Sequence, residues 1–341
     1  MRYEILKLLK EAGSDYVTGV DIGTRFGISR SAVWKHINEL RSEGYEIESA
    51  PNLGYRLLSG SGRLNPFEIM NGLGTRTAGC EVVWFDEITS TNTHAAKLAA
   101  EGCSEGMTVV AGMQTHGKGR LGRSWESPAG KGIYMSVLLK PDVEPYETPV
   151  LTLAAAVAVS DAIKEATGLD TGIKWPNDLV IDGKKVCGIL FEMMSEADRV
   201  SNVILGIGIN YSQEPEDFPA ELKDRAISLK TASEKGAVPP CTTPGSMPEF
   251  SRLSVIRAVL KQLDIVVRMV INGRTDEVLA IWKDKSVTLG REVSFTLKGV
   301  QYSGVATDIT GDGKLLVECS DGVRRELLSG EVSVRGIYGY A

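Results

Sequence analysis

The chain has 341 residues, long enough for two or three domains, and its 43% hydrophobic and 24% charged content is that of an ordinary globular protein. A net charge of −6 argues against a surface coated in nucleic acid, yet leaves room for one small DNA-binding module, because such binding depends on a local patch. No run approaches the roughly 18 apolar residues of a membrane span, and the opening MRYEILKLLKEAG lacks a signal-peptide core. The five cysteines (Cys80, Cys103, Cys187, Cys241, Cys319) are scattered without a CxxC pair. That pattern disfavours disulfides and zinc and makes reduced thiols in a cytoplasm the expectation. With three histidines in the chain, metal chemistry would rest on carboxylates.

The first sixty residues read as three helices and two short strands. Ile5, Leu6, Leu8 and Leu9 have helical spacing up to Gly13; Thr18 caps a second helix that ends at Gly27. Ser29 caps a third, SRSAVWKHINELRSEG, whose Val33, Ile37 and Leu40 make one buried stripe. Its opposite side carries Arg30, Ser31, Lys35 and Arg41. Tyr45–Ile47 and Gly54–Leu57 read as strands joined by a turn through Pro51 and Asn52. Helix, turn, helix and β-wing is the winged helix-turn-helix pattern, which points to major-groove binding by the third helix. A tri-helical interaction module is the plain alternative, and net charge does not decide, since acids and bases balance over this stretch.

Ser59–Gly62 is a short flexible connection. From residue 64 to about 285 apolar runs alternate with helix-like stretches. Strands are expected at Glu81–Asp86, Met107–Met113, Gly132–Leu139, Leu179–Ile181, Gly188–Met193 and Val203–Ile209, and long helices at Val150–Ala166 and Arg252–Asn272. Short turns between most strands favour an α+β domain with a mixed sheet over a doubly wound fold. Lys230–Phe250, rich in Pro, Ser, Thr and Gly, reads as a mobile loop. From 286 to 341 short strands crowd between turns such as Thr310–Gly313 and Asp321–Gly322, suggesting a small SH3-like barrel that caps or shapes a neighbouring site.

Several segments carry candidate chemistry. In QTHGKGRLGRSW (Gln114–Trp125) Gly117, Gly119 and Gly122 alternate with Lys118, Arg120 and Arg123. Glycine lets backbone approach a ligand, and guanidinium groups suit phosphate and carboxylate oxygens. Gly112–Lys118 nearly spells a Walker A, but Gly119 stands where Ser or Thr must reach magnesium, so a P-loop is ruled against. In KWPNDL, Lys174, Asn177 and Asp178 surround a stiff Trp175–Pro176 step, projecting into a site or forming only a turn with an ion pair. Lys185 begins an apolar strand, poorly placed for solvent and suited to clamp an anion. GIGIN (Gly206–Asn210) is not GxGxxG, so the dinucleotide reading fails, while close backbone packing on a ligand stays open. Thr89–Asn92 begins a helix, where its small polar groups cap the helix or bind a polar ligand.

The order TSTN, QTHGKGRLGRSW, GIYMS, KWPNDL, GKKVCGIL, GIGIN, AISL is similar to that of biotin protein ligases. With ISRSAVWKHINELRSEGY and GYRL the whole chain resembles the bifunctional group that joins a biotin operon repressor to a biotin–carboxylase ligase. The resemblance implies a winged helix-turn-helix (1–60), a class II synthetase-like biotin/lipoate ligase domain (64–285) and an SH3-like C-terminal domain (286–341). It implies ATP and biotin as substrates, with magnesium, a biotin carboxyl carrier domain as acceptor, operator DNA and a homodimer as partners, and no membrane. Ser90, Thr91, Asn92 and Gln114 would contact the biotin head, and Gly188, Gly206 and Gly208 would line its pocket. Lys118, Arg120 and Arg123 would form a loop, mobile when empty, that folds over the carboxylate and phosphates. Trp125, Asn177 and Asn210 would lie at the nucleotide. Lys185 would sit at the reacting carboxylate and phosphate, Asp178 would orient or deprotonate the incoming lysine, and Arg30, Ser31 and Lys35 would meet DNA.

Three departures stand out. The family pattern has arginine where Lys118 stands, which puts a bidentate contact there in doubt. Tyr211 and Phe218 are the weak candidates for stacking on adenine. The Lys230–Phe250 insertion is unusually rich in Pro and Thr. A lipoate-type ligase on a related fold and a ligand-sensing regulator with a decayed site are the alternatives; Arg120, Lys185 and Asp178 argue against decay.

Overall fold

Three helices open the chain in a computed structural model that describes residues 1–59, 64–141, 148–196, 199–236, 250–328 and 335–336. α1 (Arg2–Ala12), α2 (Gly19–Phe26) and α3 (Arg30–Ser42) bury Ile5, Leu9, Ile22, Val33, Ile37 and Leu40 against one another, as the helical spacing requires. Thr18 and Ser29 accept the amides of Asp21 and Ala32, and Gly27 ends α2 at φ 65°. β1 (Glu46–Ala50) and β2 (Gly54–Ser59) pair antiparallel as the wing. Gly54 has φ 105°, and a Cβ there would lie 2.6 Å from Thr18 Cα and overlap the Val17 carbonyl. Glycine therefore permits the Val17–Tyr55 bridge that closes the wing onto the helices.

α4 (Pro66–Met70) corrects one boundary, since the chain divides into compact units Met1–Asn71 and Gly72–Ala341. Residues 64–71, assigned from sequence to the middle part, belong to the first unit. The reason is Glu68, 7% exposed, whose carboxylate accepts Lys10 Nζ at 2.7 and 2.6 Å and the Tyr45 hydroxyl at 2.8 Å. A buried carboxylate needs such partners, and they lie far away in sequence. Of the expected flexible connection, residues 60–62 lie outside the described residues.

In the second unit the order is β3 (Glu81–Phe85), α5 (Thr91–Ala100), β4 (Met107–Ala111), β5 (Gly132–Leu139), α6 (Thr148–Thr167), β6 (Gly172–Lys174), β7 (Asp178–Ile181), β8 (Lys184–Glu196) and β9 (Arg199–Asn210). Its seven strands form one sheet in the order β3-β4-β5-β9-β8-β7-β6. β3 and β4 run parallel and the other neighbours antiparallel, so the sheet is mixed, as expected. α7 (Leu229–Glu234), α8 (Arg252–Ile271) and α9 (Thr275–Lys285) follow. α5 covers one face at Val109, Leu138 and Ile204. Residues of opposite parity on β9 (Val203, Leu205, Ile207, Ile209) are also buried, under a layer built on the largely apolar α6 and on α8. The expected loop at Lys230–Phe250 begins inside α7, capped by Ser228, while residues 237–249 lie outside the described residues.

β10 (Glu292–Leu297), β11 (Val300–Ile309), β12 (Leu315–Cys319), β13 (Arg324–Leu327) and β14 (Arg335–Gly336) form a five-stranded antiparallel sheet in the order β13-β12-β11-β10-β14. It is tied to the larger sheet at the KWPNDL segment. The Trp175 indole donates to the Gly313 carbonyl at 3.2 Å and the Trp175 amide to Thr288 Oγ1 at 2.9 Å. Among the described residues no helix is long and apolar enough to cross a membrane.

Candidate active site

A cavity of about 910 Å³ opens on the α5 side of the large sheet, in the range of small-molecule sites. Its floor is made of glycine. Gly188 on β8 lies opposite Gly208 on β9, and Gly206 shares a face with Gly208 by strand alternation. The close approach is made by protein side chains. A Cβ at Gly208 would come within 2.6 Å of Trp125 Nε1, one at Gly188 within 2.8 Å of Trp125 Cζ3, and one at Gly206 within 2.8 Å of Asn92 Cγ. Trp125 thus lies flat over the glycine floor, and its buried indole N–H has no hydrogen-bond partner among the described residues.

Lys185 reaches the same face through a β-bulge. Leu179 pairs with Cys187 but Val180 pairs with Lys185, so one extra residue, Val186, is inserted on β8. Three residues apart, Lys185 and Gly188 would face opposite sides of a regular strand; the bulge turns both to the cavity, where a Gly188 Cβ would meet Lys185 Nζ at 3.1 Å. Lys185 Nζ forms a 2.6 Å ion pair with Asp178 and sits 5.1 Å from the Trp125 ring centroid.

At the start of α5 the expected head-binding residues form one polar network. Ser90 is buried, lines the cavity and makes no capping bond through its side chain. The Thr91 amide donates to Gln114 Oε1 at 2.8 Å, and Gln114 Nε2 donates to Ser127 Oγ at 2.9 Å. Ser136 Oγ lies 2.7 Å from Thr91 Oγ1 and 2.6 Å from Asn92 Oδ1. Asn92 Nδ2 donates to Glu192 at 2.7 Å, and Glu192 also accepts Lys118 Nζ at 3.3 Å. Sequence reasoning missed Ser127, Ser136 and Glu192. Ser136 and Glu192 lie four residues after Gly132 and Gly188 on the same strands, so period-2 counting places them on the cavity face.

The cationic segment folds as a tight turn. Lys118 bridges Ser124, the Gly119 amide donates to Arg123 O at 2.7 Å, and the Trp125 amide to Gly117 O at 2.9 Å. Leu121 takes a left-handed φ of 55°, a cost that a non-glycine residue bears at the tip. Arg120 donates to Asn177 Oδ1 at 3.0 Å; burial draws its guanidinium below the ordinary arginine range, Asp178 counteracts, and Arg123 adds to the lowering. Asn177 Nδ2 also donates to the Ile189 carbonyl, fixing the KWPNDL turn to β8. Eight cationic residues line the cavity against three acidic ones, Asp178, Asp182 and Asp224. Such an excess suits a polyanion.

Asn210, expected at the nucleotide, and the two weak stacking candidates Tyr211 and Phe218 do not line this cavity. Asn210 does not line the cavity; it is 4% exposed and donates to the Lys185 and Ile227 carbonyls, staples that keep the start of β8 in place. Tyr211 is buried against Phe250, its hydroxyl donating to the Phe250 carbonyl, and Phe218 is buried as well; neither lines the cavity. On the first unit Arg30, Ser31 and Lys35 are exposed on one side of α3. Trp34, unremarked in the sequence, is 60% exposed among them. Arg41 is engaged instead: it donates to the Ile47 carbonyl at 3.0 and 2.7 Å and to Ser49, pinning β1 to α3.

Residues 84–210 match the biotin/lipoate A/B protein ligase family, residues 2–56 an HTH domain, and residues 288–335 the biotin protein ligase C terminal domain. The chain is 41% identical to the bifunctional ligase/repressor BirA of Bacillus subtilis (strain 168), covering 95% of this chain and 96% of that protein. It is 25% identical to the bifunctional ligase/repressor BirA of Escherichia coli (strain K12), covering 95% and 94%. The biotin protein ligase from Aquifex aeolicus, solved in complex with biotin and ATP, superposes with a TM-score of 0.61 at 32% identity, over 75% of this chain and 99% of that one. By its near full-length match, with all three parts in the same order, the chain belongs to the biotin protein ligases, in their bifunctional ligase/repressor group.

Proposed function

We propose that the chain is an ATP-dependent biotin protein ligase that also represses transcription in response to biotin. The observation that carries the ligase reading is convergence. Ser90–Asn92, Gln114, the Lys118–Arg123 turn, Asn177–Asp178 and Lys185 come from separate segments yet line one cavity. In this reading Ser90, Thr91, Asn92 and Gln114 take the fused-ring head of biotin, and the indole over Gly188 and Gly208 forms the wall beside it. The orphaned N–H of Trp125 is a donor available to a ligand oxygen.

The first half-reaction brings two anions together. A biotin carboxylate oxygen attacks the α-phosphorus of ATP, a P–O bond forms, and the bond to the β-phosphate breaks with pyrophosphate leaving. Lys185 and Arg120 offset the repulsion between carboxylate and phosphate, and their fixed positions make that stabilisation available without reorganisation. Arg120 suits this because it is held by Asn177 and half-buried, where a charge acts more strongly than in open water. Were magnesium bound with the triphosphate, Asp182 and Asp224 are carboxylates of the cavity lining that could each supply one ligand. It would screen phosphate charge. In the second half-reaction the acceptor lysine amine attacks the acyl carbon, the C–N bond forms and AMP leaves; Asp178 orients the amine and takes its proton.

For the repressor half, a homodimer presents two copies of α3 to a palindromic operator, with Arg30, Ser31 and Lys35 at the groove. ATP, carrier domain and operator share the cytoplasm, where the reading places the protein. Biotin, ATP and magnesium with an authentic carrier domain should label one carrier lysine, and lipoate should not compete; absence of label overturns the ligase reading. A mobility shift on DNA upstream of biotin genes, strengthened by biotin and ATP, is expected alongside dimerisation in sedimentation. No shift in either condition reduces the first unit to an interaction module.

A further inference from the structure

The eight cations that line the cavity differ in what already engages them. Lys118 is paired with Glu192 and Lys185 with Asp178, while the half-buried Arg120 donates to Asn177. Arg225 and Arg291, by contrast, line the cavity with exposed residues and no carboxylate partner among the described residues. They come from segments that none of the recognised motifs includes, and both are held by backbone. The Arg225 carbonyl accepts the Lys185 amide at 2.7 Å, and the next residue, Ala226, bridges Lys185, so Arg225 rides on the start of β8. Arg291 immediately precedes β10 of the smaller sheet. Its amide donates to Thr288 O and its carbonyl accepts the Ala306 amide, while Thr288 Oγ1 holds the Trp175 amide of KWPNDL. The C-terminal sheet thereby delivers a guanidinium to a cavity whose other cations belong to the large sheet and its loops.

We propose that Arg225 and Arg291 bind the β- and γ-phosphates of ATP and hold the departing pyrophosphate. This rests on the ligase reading and deepens it. The reacting carboxylate and α-phosphate suit Lys185 and Arg120, which Asp178 and Asn177 already hold in place. The distal phosphates carry most of the triphosphate charge, extend toward solvent, and suit exposed guanidinium forks that have nothing else to neutralise. The C-terminal sheet then acts as one jaw of the triphosphate site.

The test uses the full-length chain carrying Arg291→Gln, Arg225→Gln or both. Each substitution should raise the KM for ATP about tenfold, the effect of losing one charge-assisted contact at an exposed site. Each should also weaken product inhibition by added pyrophosphate by a similar factor. Transfer to the carrier from chemically prepared biotinyl-adenylate bypasses the triphosphate and should keep its rate, and the biotin Kd should hold. An unchanged KM for ATP overturns the proposal, and so does an equal loss in transfer from preformed adenylate, which would mean general damage to the site. Failure of the unsubstituted chain to adenylate biotin at all would instead overturn the ligase reading.

Discussion

Gly206 offers a direct test of the polar network at the start of α5, where the ligase reading puts the biotin head. A Cβ added there would lie 2.8 Å from Asn92 Cγ and 2.9 Å from Asn92 Nδ2, and closer still to Oδ1. Ordinary contact begins near ~3.5 Å, so the carboxamide must retreat by about 1 Å. It cannot retreat freely, being only 3% exposed and bonded to Ser136 at 2.6 Å and to Glu192 at 2.7 Å. Losing one neutral hydrogen bond and one to a carboxylate costs about 2–4 kcal/mol, shared between fold stability and ligand binding. Gly206→Ala should therefore weaken biotin binding by roughly ten- to a hundredfold, at about 1.4 kcal/mol per decade. It should also lower the midpoint of urea denaturation. The control is a double-mutant cycle. Asn92→Ala removes the obstructing group, and Gly206→Ala in that background should cost under about 0.5 kcal/mol in either measurement. Calorimetric titration with biotin and urea melts of the four proteins decide the matter. An equal penalty in both backgrounds, or wild-type biotin affinity in Gly206→Ala, would refute the reasoning.

Other positions make separable predictions. Lys185→Met should slow pyrophosphate release on mixing with biotin and ATP by on the order of 10²–10³-fold, with the melting temperature nearly kept; retention of a tenth of the rate removes Lys185 from the chemistry. Asp264 is 4% exposed and accepts the amides of Arg76, Thr77 and Ala78. Its replacement by Ala leaves those donors without an acceptor and should cost about 3 kcal/mol in urea denaturation, and a loss below about 1 kcal/mol would show that the three amides find other partners. Arg30→Ala and Lys35→Ala should each reduce the slope of log K against log salt for operator binding by about 1, as expected when one phosphate contact is lost. Arg41→Met should leave that slope alone and lower the stability of the first unit, because its guanidinium holds the Ile47 carbonyl; a reduced slope would place Arg41 on DNA.

The features that were legible in the chain are those written in local chemistry. Thr18 and Ser29 cap helices a few residues away, Val33, Ile37 and Leu40 recur at helical spacing, and β5 spans Gly132–Leu139 as expected. The motifs also converge in space, since Ser90–Asn92, Gln114, Arg120, Asp178 and Lys185 line one cavity. What stayed hidden depends on register and on distant partners. The bulge at Val186 decides which face Lys185 occupies, and no residue type announces it, because Val186 and Cys187 are both fully buried and read as one apolar run. Arg41 and Arg30 look alike on a helical wheel; the Ile47 carbonyl, reached only once the wing folds back, withdraws one of them from the surface. Glycine is the instructive case. Gly188, Gly206 and Gly208 were expected to admit a ligand, and they do mark close approach, but the groups that approach are Trp125 and Asn92. Besides lining the cavity, the glycine floor lets the indole lie flat and the carboxamide sit deep. A ligand entering the cavity meets the shape those side chains impose, which is why a single methyl group at Gly206, out of reach of the chemistry, should be felt in biotin affinity.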